Sequence, residues 1–200
     1  MADLARYYFD HDSEHEVVAM ADTHPSAMMS DLPYVAIAEL MASYPPTEHA
    51  LFIAPSDSDP RDDSRLETYV WAVANGYELV SYVSSRAAVA PGVQPGRNGF
   101  ILERAHVQPW VTVGDDVTIL AGSHVGHETA IGDHVFIADR CVVSGNVSVG
   151  SGSYIGPNSA IRNSIELGEG SWIGPGVTLR RSTVAGTAYG AEPTQRGARA

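Results

Sequence analysis

The chain contains no lysine and only one cysteine. Its 12 cations, all arginine, face 24 carboxylates for a formal net charge of −12. That excess argues against a general role on nucleic acid or an anionic membrane, where clustered cations supply the affinity. Cys141 has no partner for an internal disulfide, and no Cys-x-x-Cys pair is present to hold a structural zinc. Redox chemistry has no support. Apolar runs of the roughly 18 residues that a membrane-spanning helix needs are absent too. The opening "MADLARYYFDHDSEHE" lacks the basic flank and apolar stretch of a signal peptide, which points to a cytoplasmic protein. What is left is an acidic chain of 200 residues, enough for one large domain or two small ones.

Two periods divide it, with the change near Ser84 to Ala88. Before that boundary, "ADLARYYF" has Leu4 and Tyr8 at helical spacing, "VVAMAD" from Val17 reads as a buried strand, and "LPYVAIAELM" mixes strand and helix signals. The segment "HALFIAPSDSDP" reads as a strand leading into a helix capped by Asp59, with Pro60 in the first helical position. Leu66, Val70 and Val73 give that helix one apolar face, Asn75-Gly76 ends it, and "YELVSYV" returns as a strand. Alternating strands and helices imply a small parallel α/β layer. Asp10, Asp12, Glu14, Glu16 and Asp22 read as a solvated face rather than a metal site.

From Val89 to Leu179 an apolar residue recurs every six positions without a slip, and fifteen of the sixteen are Val, Ile or Leu, Pro95 being the exception. Glycine follows the aliphatic residue in seven hexads, as after Val125, Ile131 and Val149, where a tight corner between short strands is expected. Small residues, among them Ser123, Thr129, Cys141, Ser153, Ser159 and Ser171, take the fourth place after it and should also point inward. Neither an α-helix nor an alternating antiparallel sheet has a period of six. The repeat is the signature of a parallel β-helix, in which three hexads make one triangular coil and the coils stack by strand pairing. The expected organisation is an α/β layer over residues 1–84, a β-helix over 85–184 and a tail over 185–200.

Eighteen residues per coil place residues eighteen apart one above the other, about 4.8 Å apart. His106 and His124 then share a column, while His127 falls in another with Gly145, Asn163 and Arg181, beside the column of Ser144, Arg162 and Arg180. Two places past Val125, His127 should face outward. Glu128 can hold one imidazole nitrogen and fix the tautomer, leaving the other nitrogen to accept a proton. Above His127, Gly145 has no side chain to block a substrate, and its N–H can donate to a developing oxyanion. His124 has three readings: it lines a site, binds a metal or packs at a corner. His134 reads as a surface residue, and Cys141 as packing rather than a nucleophile.

The hexads from Val89 to Leu179, "GHETAIGDHVFI" around His127 and "SGNVSVGSGSYIGPNSAI" from Ser144 to Ile161 resemble the hexapeptide-repeat acyltransferases. The closer resemblance is to the sugar acetyltransferases related to sialic acid O-acetyltransferase and bacillosamine N-acetyltransferase. "NGYELVSYVSSRAAVAPGV" is similar to that group's passage from a small α/β domain into the helix. The resemblance implies left-handed coils, against the usual crossover preference, and a homotrimer with sites between subunits. It also implies acetyl-CoA lying in the groove between neighbouring β-helices, with no metal. By carry-over His127 is the general base toward a sugar amine or hydroxyl, Glu128 orients it, and the Gly145 N–H meets the thioester carbonyl. Arg162, Asn163, Arg180 and Arg181 lie one or two coils beyond Gly145. Arg181 stands roughly 15 Å from His127 at about 4.8 Å per coil, a span similar to a pantetheine arm. Arg180 and Arg181 are therefore candidates for the CoA phosphates, which suit guanidinium forks; the alternative is that they only solvate the last coil.

Members of that group usually open with a strand and a glycine-rich turn that begin a nucleotide-binding unit, whereas this chain starts at what corresponds to the following helix. Either Met1 is an internal residue of a longer natural chain, or the protein does not grip a nucleotide-linked acceptor in the usual way; as given, the α/β layer reads as a truncated Rossmann-like one, an acceptor-binding domain lacking its phosphate cradle. Asp22 and His124 are the residues left to meet the acceptor. Two rivals stand beside acyl transfer: a zinc lyase resembling carbonic-anhydrase-type β-helices, using His106, His124 and His127, and a catalytically idle scaffold. Against the lyase, that family places two histidines of one column two coils apart, whereas His106 and His124 are one coil apart.

Overall fold

The structure, a computed structural model, describes residues 1–22, 32–55 and 64–190. It divides into two compact units, Met1–Ser84 and Ser85–Ala200.

In the first unit, α1 (Ala2–Asp12) buries Ala5, Tyr8 and Phe9, spaced for one helical face. β1 (Met20–Asp22) pairs in parallel with β2 (Tyr34–Ala36), Met20 opposite Tyr34. The segment "VVAMA" is not a buried strand throughout: Met20 is buried, but Val18 is 41% exposed. Then come α2 (Ile37–Ser43), β3 (Ala50–Leu51), α3 (Ser64–Ala74) and β4 (Glu78–Leu79), with β3 parallel to β4. The parallel α/β layer thus forms as two separate two-stranded sheets.

α3 ends where the sequence says it should. Gly76 takes φ +80, its N–H bonds to the Val73 carbonyl, and the Tyr77 N–H bonds to the Ala72 carbonyl, so the orphan carbonyls of the last turn are satisfied. Its apolar face needs correction. Tyr69 and Ala72 are buried, whereas Leu66, Val70 and Val73 are exposed. Both stripes repeat at helical spacing, about a quarter-turn apart, and the packing of α3 in its core with Tyr77 and Leu79 selects the first. Asp59 and Pro60 lie outside the described residues. Asp12 is not merely solvated either, because its carboxylate accepts the Tyr82 and Ser84 hydroxyls at 2.7 and 3.3 Å.

In the second unit each hexad phase position from Val89 to Leu179 closes a two-residue strand, except Pro95, which cannot donate to a ladder. The strands stack in three faces, one of which carries His106–Val107, His124–Val125, Val142–Val143, Ala160–Ile161 and Thr178–Leu179. Partners are eighteen residues apart, as in Val125 opposite Val143, until the last coil, where Trp172 meets Ala188 and two residues are missing from the turn. Val107, Val125, Val143, Ile161 and Leu179 form one internal ladder, none more than 2% exposed. Each such side chain contributes roughly 1.5–3 kcal/mol by leaving water.

The small fourth-place residues do point inward, and their hydroxyls explain the choice. Ser123 Oγ donates to the Ala138 carbonyl and accepts the Cys141 N–H; Ser159 does the same for Gly174 and Val177. Corner groups of the next coil are thereby satisfied from inside. The glycines play a different part from the one expected. Those after the aliphatic residues are not in the left-handed region; they are there because the next coil leaves no room, a Cβ at Gly126 standing 2.4 Å from Gly145 N. The left-handed corner falls two residues later, at Arg104, Trp110, Asp116, Glu128, His134 and Arg140, with φ between 56 and 63, and also at glycines such as Gly122 and Gly152, with φ 69 and 67.

Candidate active site

His127 stands at the corner between the strands His124–Val125 and Ala130–Ile131. Its backbone is pinned from both neighbouring coils: the N–H donates to Gln108 Oε1 at 2.9 Å, and the carbonyl accepts the Asn146 N–H at 2.8 Å. Its ring is set by two further contacts. Nδ1 lies 3.2 Å from Glu128 Oε2, so an Nδ1–H donates there and Nε2 is left as the basic nitrogen. The opposite edge of the ring covers Gly145, whose absent Cβ would stand 2.7 Å from Nε2 and 2.9 Å from Cε1. Both side chains remain more than half exposed, at 54% and 60%.

The Gly145 amide differs from several at the same hexad place. At the same hexad place, the Arg97 N–H donates to Asp115 Oδ1, the Asp115 N–H to Asp133 Oδ1, and the Asp133 N–H to Ser151 Oγ. Gly145 has Asn163 above it, and the Asn163 amide turns to Ser164 Oγ instead. The Gly145 N–H therefore finds no acceptor among the described residues, while its carbonyl accepts the Ser164 N–H. A free donor beside a basic nitrogen is the arrangement that an attacked carbonyl needs.

One coil along, Arg162 and Arg180 line a hollow of about 270 Å³ with Ser144, Ala160, Ile161 and Thr178. Arg181 is exposed and not in its lining, and the shortened last coil begins just after it. His124 and His106 meet edge to face, ring centroids 5.0 Å apart. Burial first, and the neighbouring His106 second, hold His124 below the usual imidazole pKa. Among the described residues no three His, Cys, Asp or Glu side chains come together as a metal site. Asp22 closes β1, and its side chain lies outside the described residues.

Two further sequence readings meet the structure here. Cys141 is fully buried, and that burial pushes its thiol up to about 11, so it packs and does not attack. His134 is not a plain surface residue: its Nδ1 lies 2.9 Å from Asp116 Oδ2, and the other oxygen of that buried carboxylate accepts the Asn98 amide at 2.6 Å. The residue that sequence reasoning missed is Gln108. Lying nineteen positions before His127, it was available to the same register argument that paired His127 with Gly145.

Residues 128–163 match the family model described as bacterial transferase hexapeptide (six repeats). No curated protein matches the chain. Among solved structures, the acetyltransferase domain of PglB from Neisseria gonorrhoeae FA1090 in complex with acetyl coenzyme A is 22% identical, with a TM-score of 0.76 over 84% of this chain and 80% of that one. WeeI from Acinetobacter baumannii AYE is 18% identical, with a TM-score of 0.72 over 94% and 88%. A point mutant of perosamine N-acetyltransferase from Caulobacter crescentus, in complex with CoA and GDP-perosamine, is 23% identical, with a TM-score of 0.52 over 86% and 75%. The fold of the chain is therefore an α/β layer followed by a left-handed β-helix of hexapeptide repeats, shared with these proteins.

Proposed function

We propose that the chain transfers an acetyl group from acetyl-CoA to an amino or hydroxyl group of a sugar, by direct attack. The observation that carries this reading is the meeting of His127 with the unbonded Gly145 N–H. His127 Nε2 removes the proton from the attacking sugar nitrogen or oxygen as it bonds to the acetyl carbon. The Gly145 N–H donates to the carbonyl oxygen as its charge grows, Glu128 holds the imidazolium that forms, and His127 returns the proton to the departing CoA sulfur. No covalent enzyme intermediate is needed, since Cys141 is fully buried.

Arg162 and Arg180, with Arg181 and Asn163 beside them, serve the phosphate end of CoA, where paired guanidinium groups in one hollow suit phosphate oxygens. His124 lies toward the acceptor, and Asp22 in the first unit is the candidate for a ribose if the sugar is nucleotide-linked. A second and third copy of the chain wall off a site whose base and orienting carboxylate are more than half exposed on one chain, giving a homotrimer working in the cytoplasm. The neighbours solved with acetyl coenzyme A, or with CoA and GDP-perosamine, support the donor and the sugar class. The assay is release of CoA thiol from acetyl-CoA against a panel of free and nucleotide-linked amino sugars. Release that depends on one acceptor, and that falls about 10²–10⁴-fold in His127→Gln, is expected. Release unaffected by His127→Gln would overturn the assignment.

A further inference from the structure

The corner that carries His127 and Glu128 rests on Gln108, Pro109 and Trp110 of the preceding coil. Gln108 Oε1 accepts the His127 N–H at 2.9 Å, and the Pro109 carbonyl accepts the Glu128 N–H at 3.3 Å. Just past the turn, Thr112 pairs with Ala130. The backbone of Trp110 therefore lies one coil below that of Glu128, about 4.8 Å away along the stack.

The choice of tryptophan at this corner needs a reason. Trp110 takes φ 63, and the other non-glycine residues with positive φ, among the described ones, are Asn, Asp, Arg, Glu, His or Ser. A bulky apolar side chain gains nothing locally from that conformation. Nor does it gain from packing: Trp110 is 75% exposed, and its indole has no hydrogen bond or ring contact among the described residues. A costly backbone conformation and a large open apolar surface, neither offset by contacts within the β-helix, mark a side chain kept for what binds to it.

What binds to it follows from direction. His127 Nε2 is turned toward Gly145 in the following coil, and Arg162 and Arg180 continue the donor's side over the coils after that. An acceptor has to reach Nε2 from the side the donor leaves open, which is over the coil of Gln108 and Trp110. A pyranose ring carries its hydroxyls at the rim and a patch of C–H groups on its face, and those hydrogens suit the electron-rich face of an indole. Stacking also holds the ring in one orientation, as direct attack by a single amine or hydroxyl requires. Building on the acetyl-transfer reading, we propose that Trp110 determines acceptor specificity: its indole stacks on the C–H face of the sugar ring and turns the reacting group toward His127 Nε2.

The test compares wild type with Trp110→Ala, Trp110→Leu and Trp110→Phe, using glucosamine and galactosamine, free and UDP-linked, as probes. CoA release gives kcat and KM for each substrate. Calorimetric titration of the same sugars into His127→Gln, with and without Trp110→Ala, reads sugar binding without turnover. Trp110→Ala and Trp110→Leu are expected to raise the acceptor KM and Kd about tenfold and to leave the KM for acetyl-CoA unchanged, while Trp110→Phe restores most of the loss. Equal acceptor KM and Kd in wild type and Trp110→Ala overturn the proposal, as does sugar binding by none of the four probes. A sedimentation coefficient of Trp110→Ala that departs from wild type also overturns it, because the indole then lies between copies of the chain. Failure of the acetyl-transfer reading looks different: no sugar releases CoA, yet sugar binding still depends on Trp110, and the stacking stands.

Discussion

The imidazole of His127 lies over Gly145, so close that a Cβ on Gly145 would stand 2.7 Å from Nε2. The two residues are eighteen apart, one coil, and the ring is held there by Glu128 at Nδ1 and by the bond from its backbone to Gln108. The empty position over Gly145 and the place of the base are therefore one feature.

Replacing Gly145 with alanine separates site from scaffold. The Cβ would meet the tip of an exposed, movable ring rather than backbone, so the ring shifts and the fold does not. Thermal unfolding should stay within about 0.5–1 kcal/mol of wild type, while turnover falls at least about tenfold, because a misplaced base loses the alignment that direct attack requires. Equal turnover in Gly145→Ala would mean that the ring contact has no part in the chemistry.

Arg162 and Arg180 line one hollow, and removing them should weaken donor binding without touching the proton transfer. Arg162→Ala/Arg180→Ala is expected to raise the KM for acetyl-CoA about tenfold or more, at about 1.5–3 kcal/mol for charge-assisted hydrogen bonds, with kcat at saturating donor nearly unchanged. A loss confined to kcat would remove them from the donor site.

His124 gives the fold a pH dependence of defined sign. Burial, then His106, depress its pKa below the usual imidazole range, so the folded chain resists a proton that the unfolded chain accepts. The stability this represents is full above about pH 6.5, is lost as pH falls toward the folded pKa, and falls no further below it. His124→Gln should therefore lose less thermal stability than wild type between pH 7.5 and pH 5, measured as the difference in Tm. Parallel losses in the two proteins would contradict this.

The β-helix was legible because its period is unlike any other: Val125, Ile131 and Ile137 keep phase, and the strands end on them. The columns followed from arithmetic, which placed Gly145 over His127. What the period could not say is where the chain turns left-handed. Glycine beside the aliphatic residue looked like the corner, yet the corner falls two residues later, on side-chain-bearing residues such as Glu128 and Arg140 as well as on glycines such as Gly122, because coil closure imposes that conformation whatever the local preference. Nor could it reveal that His134 reaches a buried carboxylate, because Asp116 looks on paper like any corner acid. The first unit was harder still. Strands of two or three residues leave little alternation to read, and on α3 the stripe of Leu66, Val70 and Val73 competes with Tyr69 and Ala72, a choice made by packing alone.

The most direct test of acetyl transfer from His127 is calorimetric titration of acetyl-CoA into wild type and His127→Ala, with zinc content measured on the same preparations. The account predicts that both bind with similar Kd and carry no stoichiometric zinc, leaving His127 for the chemistry after binding. Absence of binding by the wild type, or one zinc per chain that disappears in His127→Ala, would contradict it and return the histidine to a metal.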